Sequence, residues 1–185
     1  IINEQDIVRE VIKRVGYTKS DYKFDSESCG IFSALHGQSS DINRGVERED
    51  PNEQGAGDQG MMFGYACNET ANLMPISLDL SHKLLMELAE IRREGKVMTY
   101  LRPDSKSQVT IEYGDDNRPK RVDTVVISTQ HDEFIIDSAN QLKADEEMVK
   151  KIREDVENIL FPRVFAKYPQ YKDLFKGDFK LFVNP

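Results

Sequence analysis

The sequence predicts an α+β fold in which helices pack against a mixed or antiparallel sheet. Two observations predict it. Three segments carry apolar residues at helical spacing, and the strand-like segments lack the regular strand-helix alternation of a parallel sheet. A chain of 185 residues, 38% of them hydrophobic, can also bury a core as one globular unit or two small ones.

Three amphipathic helices are predicted. The first covers residues 4–16 and ends at Gly16, the second covers 77–94 and ends at Gly95, and the third covers 144–160. Glycine is the residue that most readily takes the left-handed conformation at a helix C-terminus. The buried stripes are predicted to be Ile7, Val8, Val11, Ile12 and Val15 in the first helix, Leu80, Leu84, Leu88 and Ile91 in the second, and Met148, Ile152, Val156 and Ile159 in the third.

A hairpin is predicted between the second and third helices. Residues 109–113 alternate apolar and polar side chains, residues 114–119 are typical of a turn, and residues 122–128 supply a partner strand. Residues 179–183 are predicted to be a closing strand. Two more short apolar segments, 29–35 and 61–67, are predicted as strands in the first half of the chain.

The stretch from residue 37 to 60 is rich in polar residues, glycine and proline and has no periodicity, so it is predicted to be a long loop. Long loops within compact domains are usually either functional or disordered. The elements on either side of this loop could belong to different sheets. We therefore predict a domain boundary near residue 50, which divides the chain into residues 1–50 and 51–185.

The charge of the chain argues against two classes of partner. A formal charge of −8 and a pI near 5.0 disfavour nonspecific binding to nucleic acid or to an anionic membrane, because both require basic patches. No apolar run approaches the roughly 20 residues needed to cross a bilayer, and the first residues do not resemble a signal peptide. Isolated Cys29 and Cys67 are expected to be small buried side chains in a reducing compartment. These features predict a cytoplasmic location.

The first candidate site is the run Gly55-Ala56-Gly57-Asp58-Gln59-Gly60. Three glycines in six positions allow positive φ angles and a close approach to a ligand, and Asp58 would present a carboxylate suited to an ammonium group. The alternative is a flexible turn with a solvated aspartate. The run is not a phosphate-binding loop, since no Gly-Lys-Ser/Thr follows it.

The second candidate is the segment from Arg102 to Val109, directly before the hairpin. Asp104 and Lys106 are two residues apart, so in an extended segment they point the same way and could contact one ligand. The carboxylate could accept from hydroxyl groups and the ammonium could bind a phosphate. A charged turn that enters a strand is the alternative.

Other kinds of site find no support in the sequence. The three histidines, His36, His82 and His131, stand near no serine or cysteine in a nucleophile-elbow context. No zinc-protease or calcium-loop motif is present, so no metal ligand is assigned.

Taken together, these segments resemble the methionine adenosyltransferase (S-adenosylmethionine synthetase) family. The signature is the glycine-rich hexapeptide followed by Met61-Met62-Phe63-Gly64-Tyr65-Ala66. The resemblance covers nearly the whole chain. Supporting matches are Gln38 to Val46, Asn68-Glu69-Thr70, Leu101 to Val109, Ser128-Thr129-Gln130-His131 and Val183-Asn184-Pro185.

The resemblance implies sheet-and-helix layers of the S-adenosylmethionine synthetase type, with the end of the first domain and most of the central domain in this chain. It also implies that ATP and L-methionine react to form S-adenosylmethionine, with release of phosphate and pyrophosphate. By carry-over, Gln38 and Asp58 would bind methionine, Asp104 would contact the adenosine part of ATP, and Lys106 would bind the triphosphate and act in catalysis. The family's mobile active-site loop matches Ser39, Ser40, Asp41, Ile42, Asn43, Arg44, Gly45, Val46, Glu47, Arg48 and Glu49.

Further expectations concern cofactors and assembly. The family uses Mg²⁺ and K⁺, whose ligands match no position in this chain and are expected outside it. A homodimer or a dimer of dimers is implied, with the broad apolar face of the sheet as the contact.

The ends of the chain suggest a piece of a longer polypeptide, because it begins on Ile1 and lacks the family's flanking motifs. Lys106 is the one cation that can be assigned to the triphosphate. A charged hydrogen bond contributes about 1.5–3 kcal/mol, whereas an enzyme typically supplies about 8 kcal/mol or more, so the segment alone is expected to be inactive. The alternatives are a non-catalytic module that binds methionine and adenosine, and a purely structural dimerisation domain.

Overall fold

A computed structural model describes residues 3–137 and 139–185. The elements follow one another along the chain as α1 (Glu4–Val15), α2 (Ser40–Val46), α3 (Ile76–Glu94), β1 (Leu101–Tyr113), β2 (Pro119–His131), α4 (Gln141–Asp155), a π-helical turn (Val156–Leu160), α5 (Phe161–Lys167) and β3 (Lys180–Val183). Short 3-10 helices lie at Ser20–Tyr22, Pro51–Glu53 and Pro169–Phe175. Within these two ranges, no helix combines the length and the apolar character that crossing a membrane requires.

The extents of the first two predicted helices are confirmed, but the predicted buried stripe of the first is wrong. Its side chains Ile7, Val8, Val11 and Val15 are exposed and Ile12 is only half-buried. α1 ends at Gly16, whose φ is +116°, and α3 ends at Gly95, whose φ is +62°. In both cases the glycine N–H donates to the carbonyl four residues earlier, which satisfies one of the free carbonyls of the last turn.

The sheet is mixed. β1 and β2 form the predicted antiparallel hairpin, and both strands are longer than predicted, with 13 residues each. β3 pairs with β2 in parallel, so the strand order is β1-β2-β3 in the described part of the chain. A parallel neighbour requires a long crossover, which α4 and α5 provide.

One face of the sheet is covered by α3 and by the helices from α4 to α5. The predicted stripe of α3, Leu80, Leu84, Leu88 and Ile91, is buried there against Val109, Val122, Val125, Ile127, Ile152, Val156, Leu160, Val164 and Leu181. Each fully buried aliphatic side chain of this kind contributes about 1.5–3 kcal/mol.

The other face of the sheet is open and mainly polar. Its side chains include Asp104, Lys106, Gln108, Thr110, Thr124, Ser128 and Gln130, with Val126 and Phe182 as the apolar exceptions. The expectation of a broad apolar face free for subunit contact is therefore wrong, because the helices of the same chain cover the apolar face.

The third helix extends beyond its predicted end at Leu160. Pro162 has no N–H, so the helix cannot continue there with ordinary α-helical hydrogen bonds. Instead the N–H of Phe161 donates to the carbonyl of Val156, five residues earlier, and α5 follows. The π-helical turn thus accommodates Pro162 within one continuous helical stretch.

Residues 29–35 and 61–67 were predicted as strands, and this prediction is wrong. Both segments lie outside the sheet, and their apolar side chains are exposed: 99% of the Phe32 side chain and 94% of the Met62 side chain. A strand needs a neighbour that satisfies its backbone groups, and the described part of the chain provides none beside these segments. The predicted loop 37–60 is also not wholly irregular, since it contains α2 and the 3-10 helix at Pro51–Glu53.

Candidate functional site

Asp104 and Lys106 lie near the start of β1 with both side chains exposed on the open face. The residues between and after them point the other way, since the Ser107 hydroxyl donates to the Ser81 carbonyl of α3 at 2.8 Å. The alternation expected of an extended segment is therefore present. A carboxylate and an ammonium group stand side by side, facing away from the core.

Three separate sequence motifs meet at this place. Lys106 lies opposite Ser128 and Ser105 lies opposite Thr129, so the segment that begins at Leu101 pairs with Ser128-Thr129-Gln130-His131. The Asn184 side chain then binds both backbone groups of Thr129. The Thr129 N–H donates to Asn184 Oδ1 at 2.8 Å, and Asn184 Nδ2 donates to the Thr129 carbonyl at 3.2 Å.

The Asn184 carboxamide thus imitates a peptide group and extends the pairing between β2 and β3 past Val183. The sequence marks Val183-Asn184-Pro185 as a family motif but predicts no role for it. No local pattern could have found this contact, because Asn184 and Thr129 are 55 residues apart.

Neither Asp104 nor Lys106 takes part in an ion pair among residues 3–137 and 139–185. The Lys106 ammonium is therefore available to an anionic ligand, and the Asp104 carboxylate can accept hydrogen bonds from hydroxyl or amino groups. The two side chains together suit a ligand with an anionic group at one end and several hydrogen-bond donors at the other.

The other predicted site residues lie on separate loops. Gln38 is exposed just before α2, and Asp58 is exposed after the 3-10 helix, with its Oδ1 accepting from the Gln59 N–H at 2.7 Å. In the part of the chain that the structure describes, no hydrogen bond joins Gln38 or Asp58 to Asp104 or Lys106. The structure therefore presents two groups of candidate residues.

The active-site loop and the glycine-rich run contact each other. α2 occupies most of the loop, and Arg44 pairs with Asp41 at 2.6 Å. The N–H of Gly55 donates to the carbonyl of Val46 at 2.9 Å. This hydrogen bond joins the end of α2 to the beginning of the glycine-rich run.

The glycines of this run do not use positive φ angles as expected, since the positive-φ glycines in the described residues are Gly16, Gly95 and Gly177. Gly55 is needed for a different reason. A Cβ atom at this position would lie 2.3 Å from the Gly45 carbonyl oxygen, which is closer than any stable contact. Gly57 and Gly60 have open space around them.

We expect Gly55→Ala in the full-length protein to separate the two loops, because the added methyl group would collide with the Gly45 backbone. Loss of the Gly55–Val46 hydrogen bond removes about 0.5–1.5 kcal/mol, so limited proteolysis between residues 40 and 54 should become several-fold faster. Gly57→Ala is the matched control and should leave the cleavage rate unchanged. Equal cleavage of both variants would contradict the assigned contact.

The motif Asn68-Glu69-Thr70 has a structural role that sequence reasoning missed. Glu69 Oε2 accepts from the Ile76 N–H at 2.8 Å, which caps α3, and the Tyr113 hydroxyl donates to the same carboxylate at 3.0 Å. Burial, and then this hydrogen bond, raise the pKa of Tyr113 to about 12. The sequence does contain a signal for such a cap. Pro75 directly precedes α3 and has no side-chain acceptor, so another residue must cap the helix.

Of the three histidines, His131 ends β2 opposite Leu101, and His36 and His82 lie in other segments. His36 and His82 are exposed. The Nδ1 atom of His131 lies 2.8 Å from the carbonyl oxygen of Asp132. Among residues 3–137 and 139–185, no three side chains of His, Cys, Asp or Glu come together as metal ligands would.

Comparison with known proteins decides the family. A family model described as the central domain of S-adenosylmethionine synthetase matches residues 53–185. The chain belongs to the S-adenosylmethionine synthetase family. The resemblance seen in the motifs is thereby confirmed, and the helices with a mixed three-stranded sheet agree with the predicted α+β class.

Relatives of this family match the whole chain. It is 72% identical to the S-adenosylmethionine synthase of Phocaeicola vulgatus and 62% identical to that of Bacteroides fragilis, and it covers 44% of each protein. The S-adenosylmethionine synthase of Cytophaga hutchinsonii is 58% identical, with 42% of its length covered. The chain thus spans less than half the length of the curated relatives that it matches.

Proposed function

We propose that the protein of which this chain is part is a methionine adenosyltransferase. It would form S-adenosylmethionine, phosphate and pyrophosphate from ATP, L-methionine and water. Membership of the S-adenosylmethionine synthetase family and the names of the relatives support this proposal.

The observation that carries the proposal is the exposed pair of Asp104 and Lys106 on the open sheet face. In this assignment Asp104 accepts from the adenosine part of ATP, and Lys106 binds the triphosphate. The methionine sulfur attacks the ribose 5′ carbon, and the triphosphate leaves. A sulfur nucleophile needs no general base, so the side chains act by positioning substrates and by stabilising the departing polyanion.

The methionine side of the site is assigned to the loops. Asp58 would hold the ammonium group, Gln38 would contact methionine nearby, and the loop from Ser39 to Glu49 would cover the substrates. The contact between Gly55 and Val46 supports coupling between this loop and the glycine-rich run.

Two features of the proposal lie outside the described residues. Mg²⁺, when bound, would neutralise phosphate charge, and K⁺ would assist, with both sets of ligands elsewhere in the full-length protein. A homodimer or a dimer of dimers would bring the two groups of candidate residues together across subunits.

The proposal also includes a domain boundary near residue 50. It further includes a cytoplasmic location, where Cys29 and Cys67 would stay reduced.

The test is an assay of the full-length protein for phosphate release that depends on both methionine and ATP, with S-adenosylmethionine identified as the product. The isolated 185-residue segment should be inactive. The second candidate, a non-catalytic module that binds methionine and adenosine, predicts binding of both ligands to the full-length protein without product.

Asp58→Asn tests the methionine assignment. We expect this variant to raise the KM for methionine by about tenfold or more, because the amide lacks the charge that binds the ammonium group. The KM for ATP should be unchanged. Asp115→Asn, which removes the same charge from an exposed turn residue, is the control. An unchanged methionine dependence of Asp58→Asn would remove Asp58 from the site.

A further inference from the structure

The backbone that carries Asp104 leaves the regular pairing of the hairpin. Leu101 lies opposite His131, and the next paired residue, Ser105, lies opposite Thr129. Between these two pairs β1 advances by four residues and β2 by only two. The extra residues of β1 form a bulge made of Arg102, Pro103 and Asp104. Pro103 has no N–H to offer to a ladder, and bulges change the direction of the side chains that they carry.

An ion pair spans this bulge. Arg102 Nε donates to Asp132 Oδ1 at 2.6 Å. The Asp132 N–H donates to the Tyr100 carbonyl at 2.8 Å, on the other side of the bulge. Asp132 thus binds this segment twice, through its backbone to Tyr100 just before β1 and through its side chain to Arg102 in the bulge.

A second contact limits the movement of the guanidinium group. The Arg102 Cζ atom lies 4.8 Å from the centre of the Tyr22 ring, in the 3-10 helix that follows α1. A cation over an aromatic face is attracted to it, and the planar guanidinium can stack there while its edge binds a carboxylate. Arg102 is held by a residue from each of two distant segments.

The geometry of this pair differs from that of an ordinary surface pair on the same hairpin. The Arg102 side chain is 22% exposed, whereas Arg118, 3.8 Å from Asp116 at the turn, is 85% exposed. An exposed pair at that distance contributes little. The Arg102–Asp132 ion pair is short, and its arginine is shielded while the Asp132 side chain is 40% exposed. Such a pair can hold the local backbone.

We propose that Arg102 and Asp132 are positioning residues that hold the bulge so that Asp104 points toward the adenosine part of the nucleotide. Neither side chain touches the substrate in this assignment, and both act through Asp104. The inference rests on the proposed function and deepens it.

The test uses the full-length protein with Arg102→Ala, Asp132→Asn, both changes together, and the exchange of Arg102→Asp with Asp132→Arg. Each single change should raise the KM for ATP by about tenfold or more, since small displacements of a positioning group weaken a site strongly. The KM for methionine should stay unchanged. The double variant should be no worse than either single variant, and the exchange should recover part of the ATP affinity. Arg118→Ala is the matched control and should match the wild type.

Several outcomes would overturn the inference. The inference fails if the effects of the two single changes on the KM for ATP add up in the double variant. It also fails if the variants have a lower melting temperature but unchanged KM values, because the ion pair would then be purely structural. If the wild type makes no S-adenosylmethionine, the proposed function fails by itself. In that case the affinity for a nonhydrolysable ATP analogue decides, and variants that bind it as tightly as the wild type overturn the inference.

Discussion

Lys106→Ala in the full-length protein is expected to lower kcat by about 10²–10³-fold, because it removes a preorganised charge from the leaving triphosphate. The affinity for an ATP analogue should fall much less, since the charge that Lys106 stabilises develops most fully in the transition state. Lys106 is suited to this role because it forms no ion pair in the described part of the chain. Single-turnover rates and equilibrium binding of the analogue measure the two effects separately.

Two variants control for this result. Lys106→Arg keeps the charge and should retain part of the rate, while Lys120→Ala removes an exposed lysine of β2 that pairs with Glu112 at 2.7 Å and should have no effect on kcat. If Lys106→Ala weakened analogue binding and slowed the chemical step by the same factor, Lys106 would be a binding residue alone.

Arg163→Ala is expected to lower the free energy of unfolding more than the substitution of any exposed side chain. Glu87 of α3 is 2% exposed, and its carboxylate pairs with Arg163 and Lys167 of α5, each at 2.6 Å. Removal of one partner of a fully buried pair costs about 3–5 kcal/mol; we expect about 2 kcal/mol here because Lys167 remains. Urea unfolding of the full-length protein measures the loss. Arg118→Ala, which removes an exposed arginine, should change the free energy of unfolding very little.

Arg163 should also make the stability of the fold depend on pH. Its hydrogen bond to Glu94 lowers the pKa of that carboxyl below the ordinary value. A carboxyl with a lowered pKa in the folded state stabilises the fold above its unfolded pKa, and this contribution is lost as the pH falls through the folded pKa. The difference in stability between wild type and Arg163→Ala should therefore be smaller at pH values below that folded pKa than at neutral pH. A difference that is the same at both would contradict this assignment.

Local spacing predicted the parts of the fold that depend on neighbours in sequence. The apolar stripe of α3 and its end at Gly95 follow from the geometry of a helix and from the freedom of glycine. The hairpin followed from alternation around a turn, and the common side of Asp104 and Lys106 followed from the period of a strand. Their roles came from the resemblance to a family, and those roles stay predictions.

Most of the missed features depend on partners that are distant in sequence. Residues 29–35 and 61–67 have strand composition, but a strand exists only beside another strand. The course of α5 beyond Pro162 depends on its packing against α3 and the 3-10 helix at Pro169–Phe175. The Asn184 contact with Thr129 joins residues 55 apart, whereas the Glu69 cap of α3 is local and was missed because the capping residue lies outside the helix pattern.

The sequence by itself therefore determined the class of fold, the principal helices, the hairpin and the family. The tertiary structure decided which face of the sheet is open, that Asp104 lies on a bulge held by Arg102 and Asp132, and that Gly55 is needed beside the Gly45 carbonyl. The physical reason is the range of the interactions. Helical and strand periods act over a few residues along the chain, whereas burial, strand pairing and ion pairs join groups that only the folded chain brings together.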